Sequence, residues 1–430
     1  MSDHAVEAAA PTAVRSAAGP GARNTAVLLG FTAVTNLADG VTKVALPLLA
    51  ARASSSPAQV TAVSAAMTLP WLLVALPVGV LVDRLDRRRL LWAADGMRLL
   101  VIAALLQLLA AGRLTIPVLC AAGAVLGIAE VIALTAAAAL VPALVPPNGR
   151  ERANAWLAGA ETVCNEFCGP FVGGLLLAAG AGVALGATGA AYLAGSLILL
   201  LLAGRFRPAR QPAGAMPDGT PQRQIADGLR YLWRQRLLRT MSLTLTVLCA
   251  CWGAWLALMP LYATEQLALT PREYGAALSA LGVGGLVGAI TVTRLNRRFG
   301  RRRVMCADLL GTFGMMAVPA LTGELWAVAA AAFAGGMGGT LWAVNARTIG
   351  QRLVPDQLLG RYNSVSRLFS WGAMPIGAAA VGLLAQALGP RPALWLFAAS
   401  VAVTVPPFLR VVTSDALAQV PDEAGAGTAP

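Results

Sequence analysis

Twelve long apolar runs dominate this chain and constrain its fold more than any other feature. Each has 18 or more residues, which lets a helix cross a hydrocarbon core of ~30 Å. The runs lie near residues 25–50, 58–82, 89–111, 116–141, 154–178, 181–203, 241–263, 273–293, 304–321, 324–348, 364–388 and 391–411. Because lipid offers the backbone no hydrogen bonds, such segments must be helical. The sequence therefore predicts an all-α membrane protein with twelve transmembrane helices.

The composition supports a membrane protein and argues against an enzyme. Hydrophobic residues make up 57% of the 430 positions and charged residues only 12%, about half the charge of a soluble domain. The single histidine is His4, and the six cysteines lie in or at the ends of apolar runs. The sequence shows no phosphate-binding loop and no nucleophile with a neighbouring base, so we expect no enzymatic activity, cofactor or metal.

The net charge of +13 reflects orientation in a membrane and not nucleic-acid binding. If both termini are cytoplasmic, the arginines concentrate in inner segments, and the outer loops hold only isolated cases. The inner ones are Arg84, Arg87–Arg89, Arg150, Arg152, Arg205 to Arg239, Arg297 to Arg303, Arg352 and Arg361; the outer ones include Arg52, Arg113, Arg272 and Arg391. This positive-inside bias predicts a multi-pass protein of the cell membrane with both termini inside.

The two halves of the chain repeat each other. Asp39-Gly40 is matched by Trp252-Gly253 at an offset of 213 positions, and Asp95 is matched by Asp308 at the same offset. Parallel repeats are a known architecture of secondary transporters. We expect two pseudo-symmetric six-helix halves at 25–204 and 241–411, a cytoplasmic linker with an amphipathic helix at 205–240, and disordered tails at 1–24 and 412–430.

A charged hairpin between the second and third runs resembles a known family. Gly79, Asp83-Arg84 and Arg87-Arg88-Arg89 look like the signature loop of the major facilitator superfamily of secondary transporters. Three further segments are similar to its drug and siderophore exporter branch, which includes enterobactin and macrolide exporters. They are Asn36-Leu-Ala-Asp39-Gly40, Glu130 and the Arg152-Ala-Asn154 segment.

The fifth run carries a segment similar to the antiporter motif of that superfamily. Gly169, Pro170 and Gly173 match its core, whereas Asn165 stands where the fuller pattern has glycine. The second copy of the signature loop also departs, with Asn296 where an acid is expected. In the antiporters that it resembles, this segment is held to limit leak; a generic kink at a transmembrane proline is the alternative.

Ionisable residues within apolar runs are candidates for proton coupling or substrate binding, because each is costly at membrane depth. They are Asp39, Lys43, Glu130, Glu161 and Glu166. Asp39 and Lys43 share a helix face with Asn36 and can neutralise each other there. Glu130 and Glu166 can instead pair with Lys43, take up a proton or face a water-filled cavity.

The second half has aromatic and amide side chains where the first half has acids, which suggests an apolar surface for a lipophilic substrate. Our candidates for the substrate cavity are Asn36, Asn165, Trp252, Trp255, Trp342, Asn345 and Trp371. For the tryptophans, packing or an interfacial belt is the alternative.

The charged loops are interpreted as gates. We expect Asp83 to cap a helix that begins near Asn363, and Asp95 and Asp308 to pair with loop arginines. The gating group is Gly79, Asp83, Arg84, Arg87, Arg88, Asp95, Arg98, Arg301, Arg302 and Asp308. A solvated basic loop is the alternative for the arginines.

The resemblance implies a monomeric exporter of a lipophilic small molecule, a drug or a secondary metabolite, that works by proton antiport. Its partners would be the substrate, protons and the bilayer. An importer of a small organic solute and a transport-inactive sensor or scaffold are the alternatives.

Overall fold

The structure is a computed structural model that describes residues 20–145, 147–204, 229–354, 362, 365–366, 368–413 and 416–417. All regular elements in these ranges are helical. They are α1 (Pro20–Ala53), α2 (Pro57–Leu73), α3 (Ala75–Arg84), α4 (Arg87–Ala110), α5 (Ile116–Leu144), α6 (Pro147–Glu161), a π-helical segment (Thr162–Cys168), α7 (Gly169–Ala179), α8 (Ala181–Leu200), α9 (Arg236–Glu265), α10 (Pro271–Phe299), α11 (Arg301–Leu321), α12 (Leu325–Leu353), α13 (Ala373–Leu388) and α14 (Pro390–Val411).

Within the described ranges, eleven helices are long and apolar enough to cross a membrane. The run predicted at 58–82 is not among them, because it is divided into α2 and α3 at Val74. Pro77 explains the break: a proline lacks the amide hydrogen and its ring clashes with the carbonyl four residues earlier, here that of Leu73. The prediction of an all-α membrane protein is confirmed.

Short connections make successive helices antiparallel, so the loops gather at two ends of the bundle. The "Ser56 end" holds residues 54–56, 111–115, 266–270, 322–324, Gly180 and Gly389. The "Asp86 end" holds residues 85–86, 201–204, Val145 and Gly300. The side chain of Asn24 bonds the backbone of Ala203 at the Asp86 end, where Nδ2 lies 2.9 Å from the carbonyl oxygen. This bond ties the start of α1 to the residues that follow α8.

The helices form two groups that meet along a seam. In the first half, α1, α4, α5 and α8 pack on one another, and in the second half α10 and α11 pack on α12 while α9 packs on α13 and α14. The seam is the set of contacts of α2 with α13, α7 with α10, and both α1 and α2 with α9. One large hydrophobic core spans both groups, and a second lies within the first half.

Glycines allow the closest helix approaches at the seam. A Cβ on Gly174 of α7 would lie 3.0 Å from the Cα of Gly275 on α10, in the other half. Along the same segment, a Cβ on Gly169 would lie 2.6 Å from the Cα of Gly40 on α1. The predicted antiporter-like segment thus lies between α1 and the second half.

Two predicted boundaries differ from the structure. Helix α1 begins at Pro20, inside the predicted tail 1–24, and α9 begins at Arg236, inside the predicted linker 205–240. In the linker, residues 229–234 are helical, with Leu232 buried and Trp233 exposed. The rest of the predicted tails and linker lies largely outside the described residues.

Candidate functional site

A cluster of charged and amide side chains lies inside the first half, at the depth where the helices are otherwise apolar. It draws residues from α1, α4, α5, α8 and the π-helical segment. Its members are Asn36, Asp39, Lys43, Arg98, Glu130, Asn165 and Tyr192. Both ion pairs found among the described residues belong to this cluster.

The first pair joins Asp39 of α1 to Arg98 of α4, and water does not reach it. One carboxylate oxygen of Asp39 accepts from the Arg98 guanidinium, and the other accepts from the Tyr192 hydroxyl at 2.7 Å. The guanidinium carbon of Arg98 lies 5.3 Å from the centre of the Tyr192 ring. Arg98 is only 1% exposed, so this pair must neutralise itself within the protein.

The second pair joins Lys43 of α1 to Glu130 of α5, and its lysine is partly exposed. Lys43 Nζ lies 3.0 Å from Glu130 Oε1, and the side chains are 43% and 11% exposed, respectively. The Asn165 amide donates to the same Glu130 oxygen at 3.2 Å and to Asn36 Oδ1 at 3.2 Å. Glu130 is therefore a buried acid whose cationic partner is partly exposed.

The local backbone explains how Asn165 reaches Glu130. The π-helical segment Thr162–Cys168 directly precedes Gly169-Pro170. In a regular helix, the proline ring would clash with the carbonyl group four residues earlier. A π-turn inserts an extra residue and rotates the following side chains, which is why such turns recur at functional sites. Asn165, which stands where the antiporter pattern has glycine, thus hydrogen-bonds Asn36 and Glu130.

The structure decides among the arrangements considered for Lys43. Pairing with Asp39 inside α1 does not occur, because Asp39 is turned toward Arg98 and Lys43 toward Glu130. Glu161 is the last residue of α6, directly before the π-helical segment, and makes an interaction of its own. The side chain of Glu166 lies outside the described part of the chain.

The expected pairing of Asp95 and Asp308 with loop arginines is wrong. Both aspartates are buried; Asp95 accepts from the Ser196 hydroxyl, and Asp308 Oδ1 accepts from Thr312 at 3.1 Å. The loop arginines lie at helix starts, and moving their charges into the interior to reach these acids would be costly. Arg98, assigned to the gate, lies instead in the interior cluster.

The hairpin between α3 and α4 retains its charged character at the Asp86 end. Asp86 caps α4 by accepting from the backbone amide of Arg88 at 2.9 Å. Gly79 lies in α3 with open space around it, Arg84 is exposed, and Arg87 and Arg301 are half-buried. Arg302 donates to the Leu409 carbonyl at 3.0 Å. The Asp83 side chain and Asn363 lie outside the described residues.

Two of the four tryptophan candidates for the cavity are packed and not open. Trp255 and Trp342 are fully buried, and the Trp342 ring lies 5.5 Å from that of Phe408. Asn345 is also buried and exchanges two hydrogen bonds with Asn296. Trp252 is half-buried against Gly339. The expectation that this whole group lines a cavity is wrong for the buried members, because their neighbours fill the surrounding space.

Three contributors were not anticipated from the sequence. Tyr192 and Ser196 lie one turn apart on α8 and each holds an acid of another helix. Trp71 of α2 stacks on Trp371. Tyr192 and Ser196 could have been found from the spacing of their hydroxyls on one helix face. For Trp71 the sequence gave no comparable signal.

Comparison with known sequences gives a consistent picture. The model of the transmembrane secretion effector family matches residues 22–424. The multidrug efflux pump Tap of Mycobacterium tuberculosis is 30% identical over 383 residues, which cover 84% of this chain and 87% of Tap. The Tap pump of Mycolicibacterium fortuitum is 28% identical over 378 residues, or 85% and 90% of the two chains.

Solved structures with this fold are transporters. A bacterial homologue of the human lysosomal transporter Spinster, in an inward-facing conformation, matches with a TM-score of 0.74 at 12% identity, over 95% of this chain and all of its own. An inward-facing bacterial homologue of ferroportin gives 0.69 at 18% identity, over 91% and 99%. The chain belongs to the transmembrane secretion effector family of the major facilitator superfamily and is a multi-pass transporter of the cell membrane.

Proposed function

We propose that this transporter exports a lipophilic small molecule, a drug or a secondary metabolite, in exchange for protons by alternating access. The direction is supported by its relatives, since the Tap proteins that cover most of its length are named multidrug efflux pumps.

The observation that carries the coupling proposal is the Lys43–Glu130 pair. Its carboxylate is held by the ammonium of Lys43 and the amide of Asn165, and Lys43 is partly exposed. A proton that binds Glu130 removes one charge from the site and breaks the pairing with Lys43. The protein thus has two charge states that can favour different conformations, as coupling requires. Glu166 and Glu161 remain further candidates.

The seam supports alternating access. At the Ser56 end, Ser56 of the first half donates to Gln386 of the second half at 2.9 Å, and Gly174 meets Gly275. Toward the Asp86 end, α3 packs on α2 and α5, and the described residues show no comparable packing of α3 on the second half. With the arginine-rich Asp86 end in the cytoplasm, both termini are cytoplasmic, and α2 and α3 together form the twelfth crossing.

Reconstituted protein tests the proposal. An imposed pH gradient across proteoliposomes should drive uphill movement of a fluorescent lipophilic compound by the wild type. Glu130→Gln should abolish uphill movement and retain downhill movement, because the amide cannot release a proton. Glu273→Gln is the control, since this exposed capping-box glutamate tolerates glutamine. Wild-type transport that ignores the pH gradient would contradict proton antiport.

A further inference from the structure

Two tryptophans from opposite halves stack on each other at the seam. Trp71 comes from α2, and Trp371 from the helical segment that precedes α13. Their ring centres are 5.1 Å apart, with an angle of 29° between the planes. Neither ring belongs to the ion-pair cluster. The sequence predicted that Trp371 lines the substrate cavity and made no prediction for Trp71.

The helical phase of α2 shows that Trp71 faces the interior of the bundle. Val60, Ser64 and Trp71 lie within 40° of one another around the axis, since a helix turns by about 100° per residue. Val60 and Ser64, near the Ser56 end, are buried. The lipid-facing side of α2 is different and carries the exposed Leu69 and Leu73. Trp71 therefore continues the buried strip toward the Asp86 end.

Trp371 lies on the matching strip of the second half. The Gly372 amide donates to the Leu368 carbonyl at 3.1 Å, so the helical phase continues from Trp371 into α13. Ala378 and Gly382 share the helix face of Trp371 and are buried, and Gly382 closely approaches Thr61 of α2. Trp371, further toward the Asp86 end, is 42% exposed. Because this face is turned toward α2, the exposed ring surface lies beside the seam.

Helix irregularities flank the stack on both sides. Pro77 follows Leu73 by four residues and ends α2, while Pro375 follows Trp371 by four residues and coincides with a turn at Gly372. Beside the stack the two segments touch, since a Cβ on Gly372 would lie 2.9 Å from Leu72 Cδ1. The rings thus stand where α2 meets the helical segment that precedes α13.

We propose that the Trp71–Trp371 stack is a binding site for the flat face of a fused-ring aromatic substrate. Aromatic rings prefer offset stacking, which an exposed indole face offers to a planar molecule and not to a globular one. A ligand stacked on the free face of Trp371 extends a stack that joins both halves, so its binding acts on the seam that must open and close. This inference rests on the proposed export function, because it names the substrate class of the same interior space.

The test compares two lipophilic monovalent cations of different shape, planar ethidium and tetrahedral tetraphenylphosphonium. Calorimetric titration of the purified full-length protein measures the Kd of each. Trp71→Leu and Trp371→Leu keep apolar volume but lose the ring, so they should weaken ethidium binding about three- to tenfold and leave tetraphenylphosphonium binding unchanged. Trp371→Phe keeps an aromatic ring and should retain most of the wild-type ethidium affinity. Trp395→Leu is the matched control, because Trp395 is 41% exposed on α14, away from the seam.

Three results would overturn the site. They are equal ethidium affinity in Trp371→Leu and Trp395→Leu, equal loss of both probes, and no ethidium binding by a wild type that still exports other lipophilic compounds. The last result leaves the export function intact and removes only the planar site. Photolabelling of the wild type with azido-ethidium checks the position without any variant. Labelled peptides should contain Trp71 or Trp371, and labelling confined to other segments contradicts the proposal.

Discussion

At the scale of single residues, the two ion pairs of the cluster differ in how much water they see. Arg98 and Asp39 are buried on all sides, whereas Lys43 is 43% exposed. A buried charge that loses its partner has no solvent to replace it, and a partly exposed one does. The Asp39–Arg98 pair therefore holds α1 to α4 as a structural link, and the Lys43–Glu130 pair is the one that can change during transport.

We expect this difference to appear in stability. Arg98→Ala should cost about 3–5 kcal/mol of unfolding free energy, because it strands the Asp39 carboxylate in the interior. Lys43→Ala should cost clearly less, since Lys43 is partly exposed. Thermal unfolding of the purified proteins in one detergent measures both. A Lys43→Ala variant that melts as low as Arg98→Ala would contradict the assignment.

Double variants identify the functional partner of Lys43. Lys43→Ala leaves Glu130 without its cation at 3.0 Å, so adding Glu130→Gln should partly restore yield and downhill transport. Adding Asp39→Asn should instead lower yield and transport further, because it also leaves Arg98 unpaired. The comparison uses yield and efflux for the single and double variants. Recovery with Asp39→Asn alone would mean that the pairing inside α1 matters after all.

At the scale of helices, the seam is built from interrupted elements. Breaks occur between α2 and α3, at the π-helical segment before α7, and at Gly372 before α13. Each break ends four residues or fewer before a proline: Pro77, Pro170 and Pro375, respectively. Prolines in these helices remove backbone bonds where the halves meet. Three of the six helices that pack across the seam, α2, α7 and α13, can thus bend, whereas α1, α9 and α10 run unbroken.

The contact of α7 with α1 predicts a large effect from a small change. Gly169→Ala places a methyl group 2.6 Å from the Cα of Gly40, so we expect lower stability and loss of transport. Gly159→Ala in α6 is the control, because nothing lies within 4 Å of its added Cβ, and alanine there should stabilise the helix by roughly 0.5–1 kcal/mol. The test compares the melting temperature and efflux of the two variants. Equal values for both would show that α7 and α1 do not keep this close contact.

At the scale of the whole molecule, the apolar runs predicted the helices well because lipid forces a long apolar segment into one conformation. The run 116–141, for example, became Ile116–Leu144. The division at Val74 was missed, since a hydropathy pattern carries no information on where a proline interrupts a run. The sequence predicted which residues contribute to the site, but it did not decide which of them pair with one another. Arg98 sits near a basic loop in sequence, and only the packing of α4 on α8 and the position of α1 show that it faces Asp39.

Alternating access requires the closed Ser56 end to open during transport, and cross-linking tests this requirement. Ser56 Oγ and Gln386 Oε1 are 2.9 Å apart across the seam, so a short bis-methanethiosulfonate cross-linker should join Ser56→Cys to Gln386→Cys through two disulfides. This cross-link joins the two halves at one end. We therefore expect transport to stop when it forms and to return on reduction.

The control pair lies at the same end but within one half. Thr270 Oγ1 and Glu273 Oε2 are 2.8 Å apart at the start of α10, so the same cross-linker between Thr270→Cys and Glu273→Cys spans no seam and should leave transport intact. Wild type treated with the reagent provides the baseline, because its six native cysteines are free thiols. If the Ser56–Gln386 cross-link forms completely, as shown by mass spectrometry, and transport continues at the wild-type rate, then this end of the seam does not open. Transport would in that case have to proceed without the separation of the halves that alternating access demands.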